Sequence, residues 1–85
     1  MNAKKGVLKV FREAFANPEL ELTPAMVTGD IRGWDSFKNV EILLACEAEF
    51  EIRFRSKEID RIRSIGDLID ICDEKLTAKT ISKNQ

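Results

Sequence analysis

Residues 35–50 read DSFKNVEILLACEAEF, and this stretch decides the fold because it predicts a helix with two apolar faces. Asp35 suits the N-cap, since its carboxylate accepts backbone N–H groups and complements the positive end of a helix. We expect the helix to begin at Asp35 or Ser36 and to continue to about Phe50. Because a chain of 85 residues cannot readily enclose both apolar faces, the second one needs a use outside the core. The first face consists of Asn39, Leu43, Cys46 and Phe50, flanked by Ile42, and the second of Phe37, Val40, Leu44 and Ala48.

Helical patterns also lie on both sides of this stretch. Apolar residues recur at helical spacing from Ala3 to Ala16, and Pro18 ends that pattern because proline disfavours helix in the residue before it. After the central helix, residues 52–55 alternate in polarity and are expected to form an extended link. Ser56 then caps a short helix from Lys57 to about Ile62.

The last helix opens with a capping box, in which Ser64 and Asp67 each accept the backbone N–H of the other. Its apolar repeat continues to Leu76, and the polar residues 77–85 are expected to fray. Together these patterns predict an all-α fold: a small four-helix bundle with three longer helices, one short helix and a long first loop. We expect one domain over residues 1–85, with an ordered core of about residues 3–76.

The composition is that of a globular protein. Hydrophobic residues make up 44% of the chain and charged residues 34%. The longest apolar run, residues 42–46, is far shorter than the roughly 20 residues that span a bilayer, so we expect no stable membrane insertion. The N-terminus lacks the apolar core of a signal peptide. Cys46 and Cys72 lie in apolar helical runs, and we expect them to be reduced core thiols in a cytoplasmic monomer. A pair that bridges two helices stays open, because the sequence does not give their separation.

The chain contains no histidine, which excludes Ser-His and Cys-His catalytic pairs and the common zinc sites. The two cysteines have no metal-type spacing. A Ser-Lys pair is the remaining option, but Ser36 and Lys38 are two positions apart and do not face each other on a helix. We therefore predict no catalytic residues, no metal site and no enzymatic activity of the chain alone.

The net charge of −1 conceals a segregation along the chain. Residues 18–51 hold eight acids against two bases, whereas residues 52–64 hold five bases against two acids. A nucleic-acid-binding domain typically presents a net basic face with residues that read the bases. Because the strongest block here is acidic and surrounds Ser36, we predict no nucleic-acid partner.

Ser36 stands where a loop of turn-forming residues meets the central helix. Three roles suit a serine at such a junction: a helix cap, a catalytic nucleophile, or a hydroxyl to which another enzyme attaches a group. Taken alone, the residue type leaves all three roles open. Trp34, two positions earlier, is expected to anchor the loop against the bundle.

The order and spacing of three segments resemble the acyl carrier protein family. The triplet Asp35-Ser36-Phe37 matches that family's Asp-Ser-Leu at the start of a helix, with Phe in place of Leu. Residues 40–50, VEILLACEAEF, match its apolar and acidic helix, and residues 64–68, SIGDL, stand where the family has TVGDL. The resemblance extends from the first helix to about Leu76.

The resemblance implies a carrier rather than an enzyme. A separate phosphopantetheinyl transferase would attach 4′-phosphopantetheine from coenzyme A, with a magnesium ion, to the Ser36 hydroxyl through a phosphodiester. The thiol at the end of that arm would carry acyl groups as thioesters to acyl-loading and acyl-processing enzymes. A serine in the first turn suits this role, because the positive helix end and its free N–H groups stabilise a phosphate.

The resemblance also implies a docking surface along the central helix. The family uses this acidic helix to bind basic patches of its enzymes, and complementary charge mainly raises association rates and selects partners. The second apolar face would form the centre of the interface or line a channel for the acyl chain. The predicted partner-binding residues are Asp35, Phe37, Val40, Glu41, Leu44 and Glu47.

Several features differ from the carriers of fatty-acid synthesis, which are strongly acidic. Lys38 follows Ser36 closely, and bases predominate in residues 53–63. We therefore expect a specialised stand-alone carrier for a dedicated pathway, such as a polyketide-like product, a modified lipid or an acylated surface sugar. Two alternatives stay open: an aminoacyl or peptidyl carrier, whose usual Gly-Gly-His/Asp-Ser motif fits Trp34-Asp35 poorly, and an unmodified four-helix interaction module.

Overall fold

A computed structural model describes residues 2–83 of the chain, with side chains up to Lys79. Within these residues all regular structure is helical, apart from an isolated bridge between Val27 and Ser64. This architecture confirms the predicted all-α bundle of three longer helices and one short helix with a long first loop. The helices are α1 (Ala3–Ala14), α2 (Ser36–Phe50), α3 (Ser56–Arg61) and α4 (Ile65–Lys83), and one 3₁₀ turn covers Thr28–Asp30.

The core lies where helix α1 packs against both α2 and α4. Gly6 lets α1 approach α2 closely, because a Cβ at this position would collide with the Phe50 ring. That ring is 2% exposed, so it lies fully within the core. The largest fully buried side chains are Phe11, Phe50, Ile42, Ile65, Leu68, Val7, Cys46 and Cys72.

Cys46 of α2 and Cys72 of α4 meet in this core. Both are buried free cysteines, and their side chains are close neighbours. This contact, together with burial, raises the pKa of the Cys46 thiol far above its usual range. The burial of both free cysteines confirms the prediction that they are core residues.

Helix α1 ends at Ala14, two residues before the end predicted from its apolar pattern. Ala16 adopts a left-handed backbone conformation, with φ of 50°. Its N–H donates to Glu13 O at 3.1 Å, and that of Asn17 donates to Arg12 O at 2.9 Å. These two N–H groups lie beyond the helix end and donate back to carbonyls of its last turn. They thereby satisfy these carbonyls and turn the chain out of the helix before the proline.

Both helices that follow α2 have a first-turn carboxylate that accepts backbone N–H groups from the residues just before the helix. Residues 52–55 form the predicted link outside the helices, in which Ile52 lies in the core and Phe54 is half-buried. Helix α3 begins at Ser56 itself, so the prediction that Ser56 caps it is wrong: the N-cap is Arg55, whose N–H donates to Glu58 Oε1 at 2.7 Å. At the start of α4, the Asp67 N–H donates to Ser64 Oγ at 3.1 Å, and the Ser64 N–H donates to Asp67 Oδ2 at 3.2 Å. The predicted capping box is therefore confirmed.

Helix α4 continues to Lys83, past Leu76, where its apolar repeat ends. The reason is tertiary, since Lys79 Nζ lies 3.4 Å from Phe50 O and 3.3 Å from Glu51 O at the end of α2. A lysine ammonium stabilises the negative end of a helix. The last two residues of the predicted polar tail, 84 and 85, lie outside the described residues.

Backbone hydrogen bonds tie the long first loop to the start of α4. The Ile65 N–H donates to Met26 O at 3.0 Å, and the Gly66 N–H donates to Pro24 O at 2.8 Å. These bonds hold the loop that leads into α2 beside the junction of α3 and α4. None of the described helices combines the length and the apolar character needed to cross a bilayer.

Candidate functional site: the start of helix α2

Ser36 is the first residue of α2, and it is exposed. Capping is done by Asp35, whose Oδ1 accepts the Lys38 N–H at 2.8 Å and whose backbone oxygen accepts the Asn39 N–H at 2.9 Å. The Ser36 hydroxyl is therefore not needed as a cap. Of the three roles that the sequence left open, the helix cap belongs to its neighbour.

The loop before Ser36 is held by Trp34, as the sequence predicted. Trp34 is 7% exposed, and its ring packs edge-on against Phe11 with centroids 5.1 Å apart. Its indole N–H donates to Asn39 Oδ1 at 3.1 Å, which joins the loop to the second turn of α2. Gly33 supplies the positive φ of 90° that the preceding turn requires. The position of Ser36 is consequently fixed by the anchored loop before it and by the helix after it.

Lys38 binds the end of α1 and makes no contact with the serine hydroxyl. Its Nζ lies 3.1 Å from Ala14 O and 2.9 Å from Glu41 Oε2, and 5.6 Å from the centroid of the Phe15 ring. An ammonium engaged with a helix C-terminus and a carboxylate is not available as a general base for Ser36. The geometry therefore agrees with the predicted absence of a Ser-Lys pair.

A groove of about 500 Å³ opens beside Ser36. It brings Ser36 and Val40 of α2 together with Ile62 and Arg63, the residues between α3 and α4. Sequence reasoning did not find this groove, because its two walls are separated along the chain and meet only in the folded bundle. The lining residues, called the Ser36 groove below, are Thr28, Trp34, Ser36, Asn39, Val40, Ile62 and Arg63.

The two faces of α2 separate as the apolar pattern predicts. Phe37 is 81% exposed, Val40 56% and Leu44 58%, whereas the opposite face is buried. Apolar residues in a row at positions i, i+3 and i+7 of a helix are the usual anchors of helix-in-groove recognition. We call these three residues the apolar stripe. It begins directly beside Ser36.

The predicted acidic docking residues differ in their surroundings. Asp35 is exposed and serves as the N-cap. Glu41 is half-exposed and pairs with Lys38. Glu47 is only 16% exposed, and its Oε2 accepts the Phe54 N–H at 2.8 Å. The Glu47 carboxylate thus holds the extended link against α2, and no local sequence signal indicates this contact.

The described residues contain no group of three or more acidic or cysteine side chains arranged to hold a metal ion.

One contact of the site could have been predicted from the sequence, because a polar residue, Asn39, stands on the buried face of α2. Asn39 shares that face with Leu43 and Cys46 and therefore needed a partner, which the structure shows to be Trp34. The positions of Thr28 and Arg63 near Ser36 had no comparable signal.

Known proteins resemble the chain over most of its length. A Schizosaccharomyces pombe protein provisionally named a mitochondrial acyl carrier protein is 34% identical over 80 residues, which cover 92% of this chain and 70% of that protein. An acyl carrier protein of Phenylobacterium zucineum is 35% identical over 63 residues, covering 74% of this chain and 78% of that protein. The chain belongs to the acyl carrier protein family. No protein-family model matches it.

A solved structure of the same family confirms the fold. The solution NMR structure of the holo acyl carrier protein from Geobacter metallireducens has a TM-score of 0.86 to this chain at 29% identity. The match covers 94% of this chain and 92% of that one. The four-helix architecture described above is therefore that of an acyl carrier protein.

Proposed function

We propose that the protein carries acyl groups on a 4′-phosphopantetheine arm attached to Ser36. The observation that supports this most strongly is an exposed serine hydroxyl at the first position of α2, freed from capping by Asp35, in a member of the acyl carrier protein family. The solved relative is a holo form, meaning one that contains its prosthetic group. When bound, such an arm supplies a terminal thiol that forms thioesters with acyl groups.

A separate phosphopantetheinyl transferase, with magnesium, would make the attachment. The Ser36 oxygen would form a bond to the phosphorus nearest the pantetheine of coenzyme A, and the phosphoanhydride bond would break. Adenosine 3′,5′-bisphosphate would leave, and the hydroxyl proton would pass to a base of the transferase. The residues of this chain present the hydroxyl and stabilise the attached phosphate, since the first N–H groups of α2 lie at the positive helix end.

The apolar stripe would make the centre of the docking interface with acyl-loading and acyl-processing enzymes. Its exposure and its position beside Ser36 support this role, because a partner that covers Phe37 and Val40 also reaches the arm. The docking roles of Asp35, Glu41 and Glu47 stay predictions. A partner enzyme that bound Glu41 would compete with Lys38, and one that bound Glu47 would compete with the Phe54 N–H.

The protein is further proposed to be a specialised stand-alone carrier that serves a dedicated pathway. The basic residues of the link and of α3 support this, because they would repel an enzyme with a uniformly basic docking patch. Efficient replacement of the housekeeping carrier in a fatty-acid elongation assay would contradict it. The aminoacyl or peptidyl carrier remains the alternative with the same serine chemistry. A cytoplasmic location stays a prediction, and one relative has a mitochondrial name.

Intact mass spectrometry tests the proposal. The apo protein is incubated with coenzyme A, magnesium and a broad-specificity phosphopantetheinyl transferase. The parent should gain one phosphopantetheinyl unit, and Ser36→Ala should gain none. Ser56→Ala is the matched control, because Ser56 is also an exposed serine at the first position of a helix, and this variant should be modified like the parent. No gain in a folded apo parent would favour the unmodified interaction module.

A further inference from the structure

The Ser36 groove brings one cation to the serine. Among the described residues that line this groove, Arg63 is the only one with a charge. Ser36 of α2 and Arg63 of the α3–α4 junction therefore border a common space, although they are far apart in sequence. Val40 and Ile62 line the same space and give it apolar walls.

The backbone of Arg63 is held in place, whereas its guanidinium has no partner. The Arg63 N–H donates to Asp67 Oδ2 at 2.9 Å, at the start of α4. The side chain is exposed and forms no ion pair or hydrogen bond within the part of the chain that the structure describes. The guanidinium is therefore available to a ligand in the groove.

The other charged residues close to Ser36 in sequence are not placed for this role. Lys38 is bound at the end of α1, as described above. Arg32 belongs to the loop before α2 and does not line the groove. Asp35 does not line it either, but its carboxylate is next to the serine and would repel an anion attached there. A cation on the groove side of Ser36 would offset this repulsion.

We propose that Arg63 binds the phosphate that Ser36 would carry, and thereby holds the start of the arm in the Ser36 groove. This inference rests on the proposed carrier function and adds to it a binding residue of this chain. A guanidinium presents paired N–H donors to two oxygens of a phosphate, and such charged hydrogen bonds are stronger than neutral ones. The phosphodiester of the arm has a single negative charge at neutral pH, which suits one guanidinium.

Phosphorus NMR tests this pairing without a transferase. Ser36 is replaced by phosphoserine through genetic encoding, and the second pKa of its phosphate, ordinarily about 6, is measured by pH titration at low salt. Arg63 should favour the doubly charged phosphate, so Arg63→Gln should raise this pKa by about 0.5. Arg61→Gln is the matched control, because it removes an equal charge from an exposed residue that does not line the groove. It should raise the pKa by less than about 0.2.

Side-chain NMR of the loaded protein tests the pairing with the arm itself. The Nε–H signals of Arg63 and Arg61 are compared between the ¹⁵N-labelled apo protein and the form that the transferase has loaded. The Arg63 signal should shift on loading, because its N–H groups would then donate to the phosphate. The Arg61 signal should stay in place.

A phosphate pKa that is the same in the parent and in Arg63→Gln, with native circular dichroism, would overturn the proposal. An equal rise in Arg61→Gln would also overturn it, because the effect would then reflect the charge of the region and not a contact. So would an unchanged Arg63 signal in a protein whose mass shows the arm. The phosphoserine titration needs no arm, so failure of the mass assay and failure of this inference are distinguishable.

Discussion

Gly6→Ala tests how tightly α1 packs on α2. Gly6 lies inside α1 and is buried. A Cβ added there would overlap Cζ and Cε1 of the Phe50 ring, which itself is 2% exposed. The overlap involves a side chain, but that side chain is enclosed by the core and has little space to move. The substitution therefore brings a favourable helix term into conflict with an unfavourable packing term.

The two terms are of known size. Replacing glycine by alanine inside a helix stabilises it by about 1 kcal/mol. Inserting a methyl group into a filled core costs about 1–3 kcal/mol. Taking the middle of that range, we expect Gly6→Ala to lower the free energy of unfolding by about 1 kcal/mol, which corresponds to a decrease in Tm of about 4–8 °C for a domain of this size.

Urea denaturation followed by circular dichroism measures this change. Gly29→Ala is the control, because a Cβ there would meet no atom within 4 Å, and its effect should stay within about 0.5 kcal/mol. The double variant Gly6→Ala/Phe50→Leu should lose less stability than the sum of the two single changes, since the smaller side chain relieves the overlap. A gain of about 1 kcal/mol for Gly6→Ala would refute the packing argument, because the helix term alone would then act.

Three further predictions concern helix ends and charge. Lys38→Gln should lower the free energy of unfolding by about 1 kcal/mol in urea titrations, because it removes the contacts with Ala14 O at the end of α1 and with Glu41. Lys57→Gln is the control and should change this free energy by less than about 0.5 kcal/mol. Ala16→Gly should raise the Tm, with a gain of about 0.5 kcal/mol, because glycine adopts the left-handed conformation without strain. The side-chain hydrogen bond from Lys75 lowers the pKa of Glu58 below 4.5, so its stabilisation is complete above that pH and is lost as the pH falls through the lowered pKa. Glu58→Gln should therefore weaken the acid dependence of stability, measured by thermal unfolding between pH 3 and 7.

Each of these three predictions has a contradicting outcome. Equal effects of Lys38→Gln and Lys57→Gln would show that the contact with Ala14 contributes nothing to stability. A lower Tm for Ala16→Gly would mean that the entropy cost of glycine exceeds the strain it relieves. If stability fell with decreasing pH as steeply in Glu58→Gln as in the parent, the Glu58 carboxylate would have the same pKa in the folded and unfolded chain.

Local patterns were sufficient for most of the fold and for the centre of the site. Asp35 as N-cap, the capping box of Ser64 and Asp67, and the two faces of α2 all depend on residues within a few positions of one another. Ser36 as the attachment residue follows from the family resemblance, and its exposure at the first position of α2 supports that proposal. The length of α4 was not readable, because its last turns depend on the contact between Lys79 and the end of α2.

The sequence by itself determined where α1, α2 and α4 begin, which face of α2 is buried and where the serine stands, because periodicity and capping act over one or two turns of chain. Only the tertiary structure decided which partners and neighbours the charged side chains around that serine have. Lys38 reaches Ala14, Glu47 turns inward to the Phe54 N–H, and Arg63 arrives from the junction of α3 and α4. The physical reason is that a charged side chain acts through its nearest partner in space. For Lys38, that partner is Ala14, 24 positions away along the chain.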